Sequence, residues 1–462
     1  MIASYHPPVD WAHVFVRASV PLACAAALLC GWGWVNHRTL VQLTAALLTT
    51  VPLLFSPRAR IVFVVVGGLF IFQSSDQLSP PKLYFLIGTA VSVAGALRHY
   101  RRMEHDPARS DIAPLLAASR AFGLLIMVSL LVAIAYGTPL KPWLRDAAPY
   151  LLFAAAPLLA YDAQTAWSRR ALRRLLVFAG VVGTSAFAAE WLSNRKIIEL
   201  SHAFALPTFL LGAALFAYAI AVVLEGENRR LGWLVLASAI LAGLIATGTR
   251  ATLILVAVPL AIIVGARRHY ARRSIRFAIE IPAVALLVVL GVQALVSFTG
   301  ADRSALASRI ELLRDTGKSS DQSYSDRLAQ TQVAWDAFKD SPLLGVGPGH
   351  LFEWVDPAGY EHSVTVVDSP AEYLAKFGLL GLWPLVVLVW AVGRTLRLLR
   401  QRAGERTISQ LAIVGLGGAF VSWWALGVPF NDKGLASGFL LLVALALSEA
   451  SMLRRASRSA PA

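Results

Sequence analysis

Apolar runs set the limits on how this chain can fold. A helix needs about 20 mostly apolar residues to cross a bilayer. Fourteen stretches approach that pattern: 18–35, 39–55, 60–74, 83–97, 113–137, 148–166, 175–190, 203–224, 232–247, 251–266, 278–298, 377–393, 408–427 and 435–452. Charged residues make up only 15% of the chain and apolar ones 57%, with a mean hydropathy of +0.63. A soluble domain carries about 25% charged residues. The pattern predicts an all-α polytopic membrane protein of about 14 transmembrane helices. The first run follows Arg17 and has the look of a signal peptide, but thirteen further runs make it a first span. Cys24 and Cys30 lie six apart inside that run, too far for a disulfide across one helix, and read as small apolar residues.

The net charge of +15 is not spread as a nucleic-acid surface would be. Its arginines come in short clusters between apolar runs, such as Arg169-Arg170, Arg173-Arg174 and Arg272-Arg273. With the N-terminus on the cytoplasmic side, alternate short connections collect 26 arginines, and the opposite short connections hold 8 basic residues. Such a bias sets orientation. Both termini are predicted to be cytoplasmic and the long segment after residue 298 to lie outside. The chain then divides into a membrane domain of eleven helices (1–298), a loop (299–376) and a second membrane part of three helices with a tail (377–462).

That loop is the one long polar interruption. Connections of such length are functional or disordered, and this one has helix periodicity, aromatics and clustered glycines, so it reads as a folded, partly helical cap. Leu328, Val333, Ala334, Ala337 and Phe338 suit an amphipathic helix, with Ser325 or Asp326 as its cap. Arg327 either pairs with Asp326 or Asp336 or stands free for a ligand. Gly345-Val-Gly-Pro-Gly-His350 is a tight, shaped turn and lacks the Gly-Lys-Ser/Thr of a phosphate-cradling loop. His350 is either a surface histidine or a proton acceptor. Tyr360-Glu-His362 and Val367-Asp-Ser369 follow, the latter placed to cap the next helix or to present a carboxylate. Gly378 and Gly381 stand i, i+3 where close helix packing would use them. Arg250, in Thr247-Gly-Thr-Arg-Ala251, falls between two apolar runs. It either snorkels to the interface or turns its planar fork to a phosphate.

Taken in order, these motifs resemble the bacterial O-antigen ligase and O-antigen polymerase family. The resemblance rests on Thr247-Gly-Thr-Arg-Ala251, the Arg327…Trp335 helix, Asp340-Ser-Pro-Leu-Leu-Gly-Val-Gly-Pro-Gly349, and Tyr373-Leu followed by Gly378-Leu-Leu-Gly381. It is strongest over about 230–390. It implies a periplasmic-face glycosyltransferase of the inner membrane. The donor would be a glycan on undecaprenyl pyrophosphate, and the acceptor another glycan or a lipid A core. No cofactor and no metal are expected. A chain-length regulator or other polysaccharide-assembly proteins would be further partners. Arg250 and Arg327 match the family's two arginine positions and would bind the pyrophosphate. Ligases carry a His-Asn pair where this chain has Val367-Asp368-Ser369. The departure favours a polymerase, with Asp368 as the first candidate base, then His362, then His350. A lipid-linked-sugar transporter is the alternative of another class, but the spans lack the mid-membrane ionisable residues it would need. An alkaline phosphatase reporter fused near Ser320 should be active and one near Arg272 inactive. The reverse pattern would overturn the orientation.

Overall fold

The computed structural model describes residues 39–70, 80–193, 209–225, 230–246, 250–266, 322–355, 359–403, 407–424, 427–432 and 434–459, with positions 283 and 286. Its helices are α1 (Thr39–Phe55), α2 (Pro57–Phe70), α3 (Pro80–Arg102), α4 (Ala108–Ala135), α5 (Leu140–Ala166), α6 (Arg169–Ser193), α7 (Phe209–Glu225), α8 (Arg230–Ala246) and α9 (Arg250–Ala266). After these come α10 (Gln322–Asp340), the strands β1 (Phe352–Val355) and β2 (Glu361–Val364), α11 (Ala371–Phe377), α12 (Leu382–Ala403), α13 (Ile408–Trp424) and α14 (Gly434–Ser459). The expected spans 18–35 and 278–298 lie outside the described residues. The described part of each of the others falls almost wholly on helix, with 377–393 divided at Gly378 between α11 and α12.

Two helices form the centre. Every residue of α7 from Leu210 to Leu224 is buried, as is α14 from Leu440 to Leu447. A helix apolar all round has no solvated face to offer, so it is enclosed by others. α7 touches α6, α8, α9, α13 and α14. Small residues let the backbones approach. A side chain at Gly415 would meet Ala217 at 2.9 Å, and one at Gly438 would meet Ala214 at 3.0 Å. This is the packing by which apolar helices associate where lipid supplies no hydrophobic drive.

Among the described residues, three helical stretches are long and apolar enough to cross a membrane: Ala108–Ala135, Leu379–Gln401 and Gly434–Ala456. A fourth arises if α1 and α2 count together. These two, expected as independent spans, meet at Ser56 with a bend of 119°, the shape of a broken span or a re-entrant pair. Arg60 explains the break. It is one of the 26 arginines assigned above to the cytoplasmic connections, yet it is 1% exposed. Its guanidinium donates to the Leu53 and Leu54 carbonyls at 3.0 and 3.1 Å and grips both Asp162 oxygens at 2.7 Å. It thus satisfies carbonyls that the end of α1 leaves open. His99 Nδ1 lies 2.7 Å from Asp162 Oδ1.

The arginine-bearing helix ends gather at one end of the bundle. Arg454 lies 3.3 Å from Asp111, and Arg169 lies 3.2 Å from Glu449. Glu449 also accepts the Ser409 amide. The opposite end carries residues 322–381. That segment has a small core of its own: Ala334, Ala337, Val346, Phe352, Val367, Ala371 and Ala375. It is not purely helical. β1 and β2 form an antiparallel hairpin that pairs Trp354 with His362, where the sequence had suggested only loop. Nor is α10 capped by Ser325 or Asp326. It begins at Gln322, so both residues fall within its first turns.

Breaking one side of a buried ion pair strands the other charge, at a cost of about 3–5 kcal/mol. Arg60→Ala should therefore lower the melting temperature in detergent sharply. Arg60→Met combined with Asp162→Leu should recover much of the loss, because no buried charge is then left alone.

Candidate functional site

The site grows from the glycine turn. Gly345, Gly347 and Gly349 have φ of 72°, 86° and 83°, in the left-handed region that side chains disfavour. Space adds a second demand at two of them. A Cβ on Gly345 would strike the Lys376 carbonyl, and one on Gly349 would come within 2.6 Å of the Trp143 amide. The bare backbone lets the turn lie flush on α11. Val346 N–H donates to the Ala375 carbonyl at 2.8 Å and Gly347 N–H to the Lys376 carbonyl at 3.0 Å. These are carbonyls of the last turn of α11, which have no partner within the helix. In return, the Pro342 and Leu343 carbonyls accept from Leu379 and Leu380 at 2.8 and 3.0 Å. Gly378, with φ of 60°, ends α11. Gly378 and Gly381 therefore do not sit inside one continuous helix, as their spacing had suggested. The chain breaks there and resumes as α12.

Beneath the turn lies a buried ionic clasp. Lys376 is 1% exposed and Glu372 fully buried. Lys376 Nζ sits 2.5 Å from Glu372 Oε1 and 3.1 Å from Asp146 Oδ2. Asp146 is on α5, some 230 residues earlier in the chain. Asp146 Oδ2 also accepts the Gly349 amide at 3.0 Å, and its Oδ1 accepts Thr365 Oγ1 at 3.2 Å. Glu372 Oε2 accepts the Val367 amide at 3.2 Å, and Asn431 Nδ2 reaches both Glu372 oxygens. Arg145 pairs with Asp146 at 2.9 Å, so two carboxylates face two cations. Burial pushes the Glu372 pKa up, with Lys376 and Asn431 opposing it. Burial alone would lower Lys376, but Asp146 and Glu372 outweigh it and its pKa is raised. Lys376 stays an ammonium at neutral pH.

Asp368 stands on the 365–369 strap held by this clasp. It is exposed, and among the described residues its carboxylate has no hydrogen bond and no ion pair. The capping expected of Asp368 or Ser369 does not occur: Pro370 is the N-cap of α11, without a side-chain cap bond, and Ser369 Oγ accepts the Ala371 amide at 3.2 Å. The Asp368 amide donates to Gln330 Oε1 on α10 at 2.7 Å. Gln330 Nε2 in turn donates to Asp326 Oδ2 at 2.8 Å, and Asp326 Oδ1 accepts Trp354 Nε1–H at 3.0 Å. Gln330 and Asp326 together thus tie helix, hairpin and strap.

Arg327 stands three residues from Gln330, on the same side of α10. It is half-buried, and its side chain has no hydrogen bond or ion pair among the described residues. Pairing with Asp326 or Asp336 does not occur. Asp326 is occupied as above, and Asp336 is held by Lys339 and Gln332. His362 stacks on Trp354 with ring centres 5.0 Å apart. His350 is half-buried, edge-on to Phe352, and burial followed by the nearby Lys376 charge lowers its pKa. It is therefore neutral at pH 7. Arg250 begins α9, and its side chain lies outside the described residues. The described residues include no group of three or more His, Cys, Asp or Glu placed to hold a metal.

Residues 234–386 match the family model described as O-antigen ligase. Over this segment the chain is similar to the O-antigen ligase family. The similarity implies an enzyme of the membrane glycosyltransferase type, acting in polysaccharide or lipopolysaccharide assembly. No curated protein matches the chain. The matched segment runs from α8 into α12 and contains every candidate residue named from sequence. It omits three members of the clasp: Arg145 and Asp146 come before it and Asn431 after it. From sequence Lys376 was only the last residue of the 299–376 loop, with no role of its own. The Glu372–Lys376 spacing of i, i+4 at the edge of an apolar span was the one available signal.

Lys376→Met would leave Asp146 and Glu372 buried without their shared cation. It should reduce the amount of folded protein in membranes and lower the melting temperature. Adding Glu372→Gln should restore part of both, since a neutral amide needs no counter-charge.

Proposed function

We propose that this protein transfers a glycan from undecaprenyl pyrophosphate to an acceptor sugar at the periplasmic face of a bacterial inner membrane. Residues 299–376 form the catalytic loop, and the flanking segments 1–298 and 377–462 form the membrane domain. The observation that carries the reading is the contrast between committed and uncommitted charges. Around the glycine turn, Asp146, Glu372, Lys376, Asp326 and Asp336 all have partners. Among the described residues the side chains of Arg327 and Asp368 have no hydrogen bond or ion pair, as is also so of the exposed Asp340, Glu353 and Glu361, and Gln330 brings the segments of the first two together.

The chemistry follows from those two groups. The acceptor hydroxyl oxygen attacks the anomeric carbon of the donor. The bond from that carbon to the pyrophosphate oxygen breaks, and undecaprenyl pyrophosphate leaves with the electron pair. Arg327, with Arg250, stabilises the negative charge that develops on it. Asp368 takes the hydroxyl proton, with His362 and His350 as the next candidates. His350 has the protonation state of a base, but its ring is half-buried against Phe352.

A glycan acceptor makes the protein a polymerase, the reading favoured by Asp368-Ser369 in place of a His-Asn pair. The second reading, a ligase with a lipid A core acceptor, has the family description itself in its favour. The surface polysaccharide of a deletion strain separates them. Single capped repeats without long chains mean a polymerase. Lipid-linked polymer that never reaches the core means a ligase.

Arg327→Ala should cut transfer by about 10²–10³-fold, the usual loss for one group that stabilises developing charge. Arg327→Lys should be nearly as poor, because an ammonium cannot supply the bidentate fork. Asp368→Asn should cost about 10²–10⁴-fold. Normal polymer from Asp368→Asn and none from His362→Ala would move the base to the histidine. Full activity of Asp368, His362 and His350 alanine variants would end the general-base mechanism.

A further inference from the structure

We propose that the Pro342-Leu343-Leu344 turn inserts into the apolar region of the lipid bilayer, as a wedge beside the start of α12. The turn is closed by Gly345 N–H donating to the Ser341 carbonyl at 2.8 Å. Its three tip residues are all exposed, with Leu343 at 68%. Consecutive exposed apolar residues on a folded surface mark an interaction site. A tight turn held by its own backbone bonds, and by two more to Leu379 and Leu380, is not a frayed loop.

Those two bonds also fix its depth. Leu379 and Leu380 open the Leu379–Gln401 stretch, which is long and apolar enough to span a membrane. The turn therefore lies level with the first residues of that span. The exposed apolar surface is continuous from it: Leu343, then Leu379, Leu382 and Trp383, then Val386 and Val389 down one side of α12. Lower on α12 the occupant is lipid, since the span is a membrane helix. Trp383 stands near its start, the place where tryptophan favours the headgroup boundary. Charge resumes at Lys339 and Asp340, just before the turn, and both are exposed. An apolar tip flanked by charge and joined to a lipid-facing stripe has the form of an interfacial anchor. Glycines 345, 347 and 349 follow it directly, so the anchor would hold the glycine turn at headgroup depth.

The test does not depend on enzymatic activity. In a full-length Cys24→Ala, Cys30→Ala background, single cysteines are placed at Leu343, Lys339 and Val389 and labelled with a nitroxide. After reconstitution into phospholipid vesicles, collision with oxygen and with a water-soluble nickel chelate is measured by power saturation. The label at Leu343 should favour oxygen over nickel, at a depth between the aqueous Lys339 site and the lipid-facing Val389 site. A nickel-dominated signal like that at Lys339 would overturn the proposal. Shielding from both reagents would also overturn it, because a second copy or another protein would then cover the turn. If the Leu343 variant does not insert, Leu344 carries the label with the same two readings.

Discussion

The end of the molecule that carries the candidate site depends on one buried ammonium. Lys376 stands between Glu372, four residues before it on α11, and Asp146 on α5. Desolvating three charges is expensive, and attraction offsets the cost only where the remaining lone pairs are also satisfied. Here they are. Gly349, Thr365, Val367 and Asn431 all donate to the same two carboxylates. The clasp thereby fastens the glycine turn, the strap before α11 and the connection before α14 to the helical bundle. Apart from one 3-10 turn at Pro429–Asn431, the three segments are irregular.

This arrangement separates two tasks that charged residues perform. Buried charges hold the fold and are neutralised by one another. Among the described residues the Arg327 and Asp368 side chains have no hydrogen bond or ion pair, and hydrogen bonds made by their neighbours hold the segments that carry them. A group that is to bind an anion or accept a proton needs donor or acceptor capacity left over for the ligand. Arg60 at the far end of the bundle is an instructive contrast. It has the same guanidinium, yet two carbonyls and a carboxylate occupy it fully. It fixes a helix break and has nothing left for a ligand.

Much of this was legible in the sequence, for physical reasons. The apolar run 203–224 was expected to be a helix, and its described part, α7, is one. Three glycines in five residues announce a tight turn, and the structure has one, with all three glycines at positive φ. What the turn packs against was not legible, because Asp146 is about 200 residues away and looks like any acid near a helix start. The strands β1 and β2 are four residues each and gain their stability from the Trp354–His362 stack and from Phe352 packing, not from local propensity. Arg60 was misread because an arginine after a short apolar break usually faces water. Only the distant Asp162 tells it apart.

The central claim is that Lys376 is a structural cation and Arg327 a ligand-binding one. A structure of the full chain in a lipid nanodisc with undecaprenyl pyrophosphate bound would test it most directly. The account predicts the pyrophosphate within hydrogen-bond distance of the Arg327 guanidinium, with Lys376 still seated between Glu372 and Asp146. A pyrophosphate held by Lys376, or bound with Arg327 turned away from it, would contradict the account.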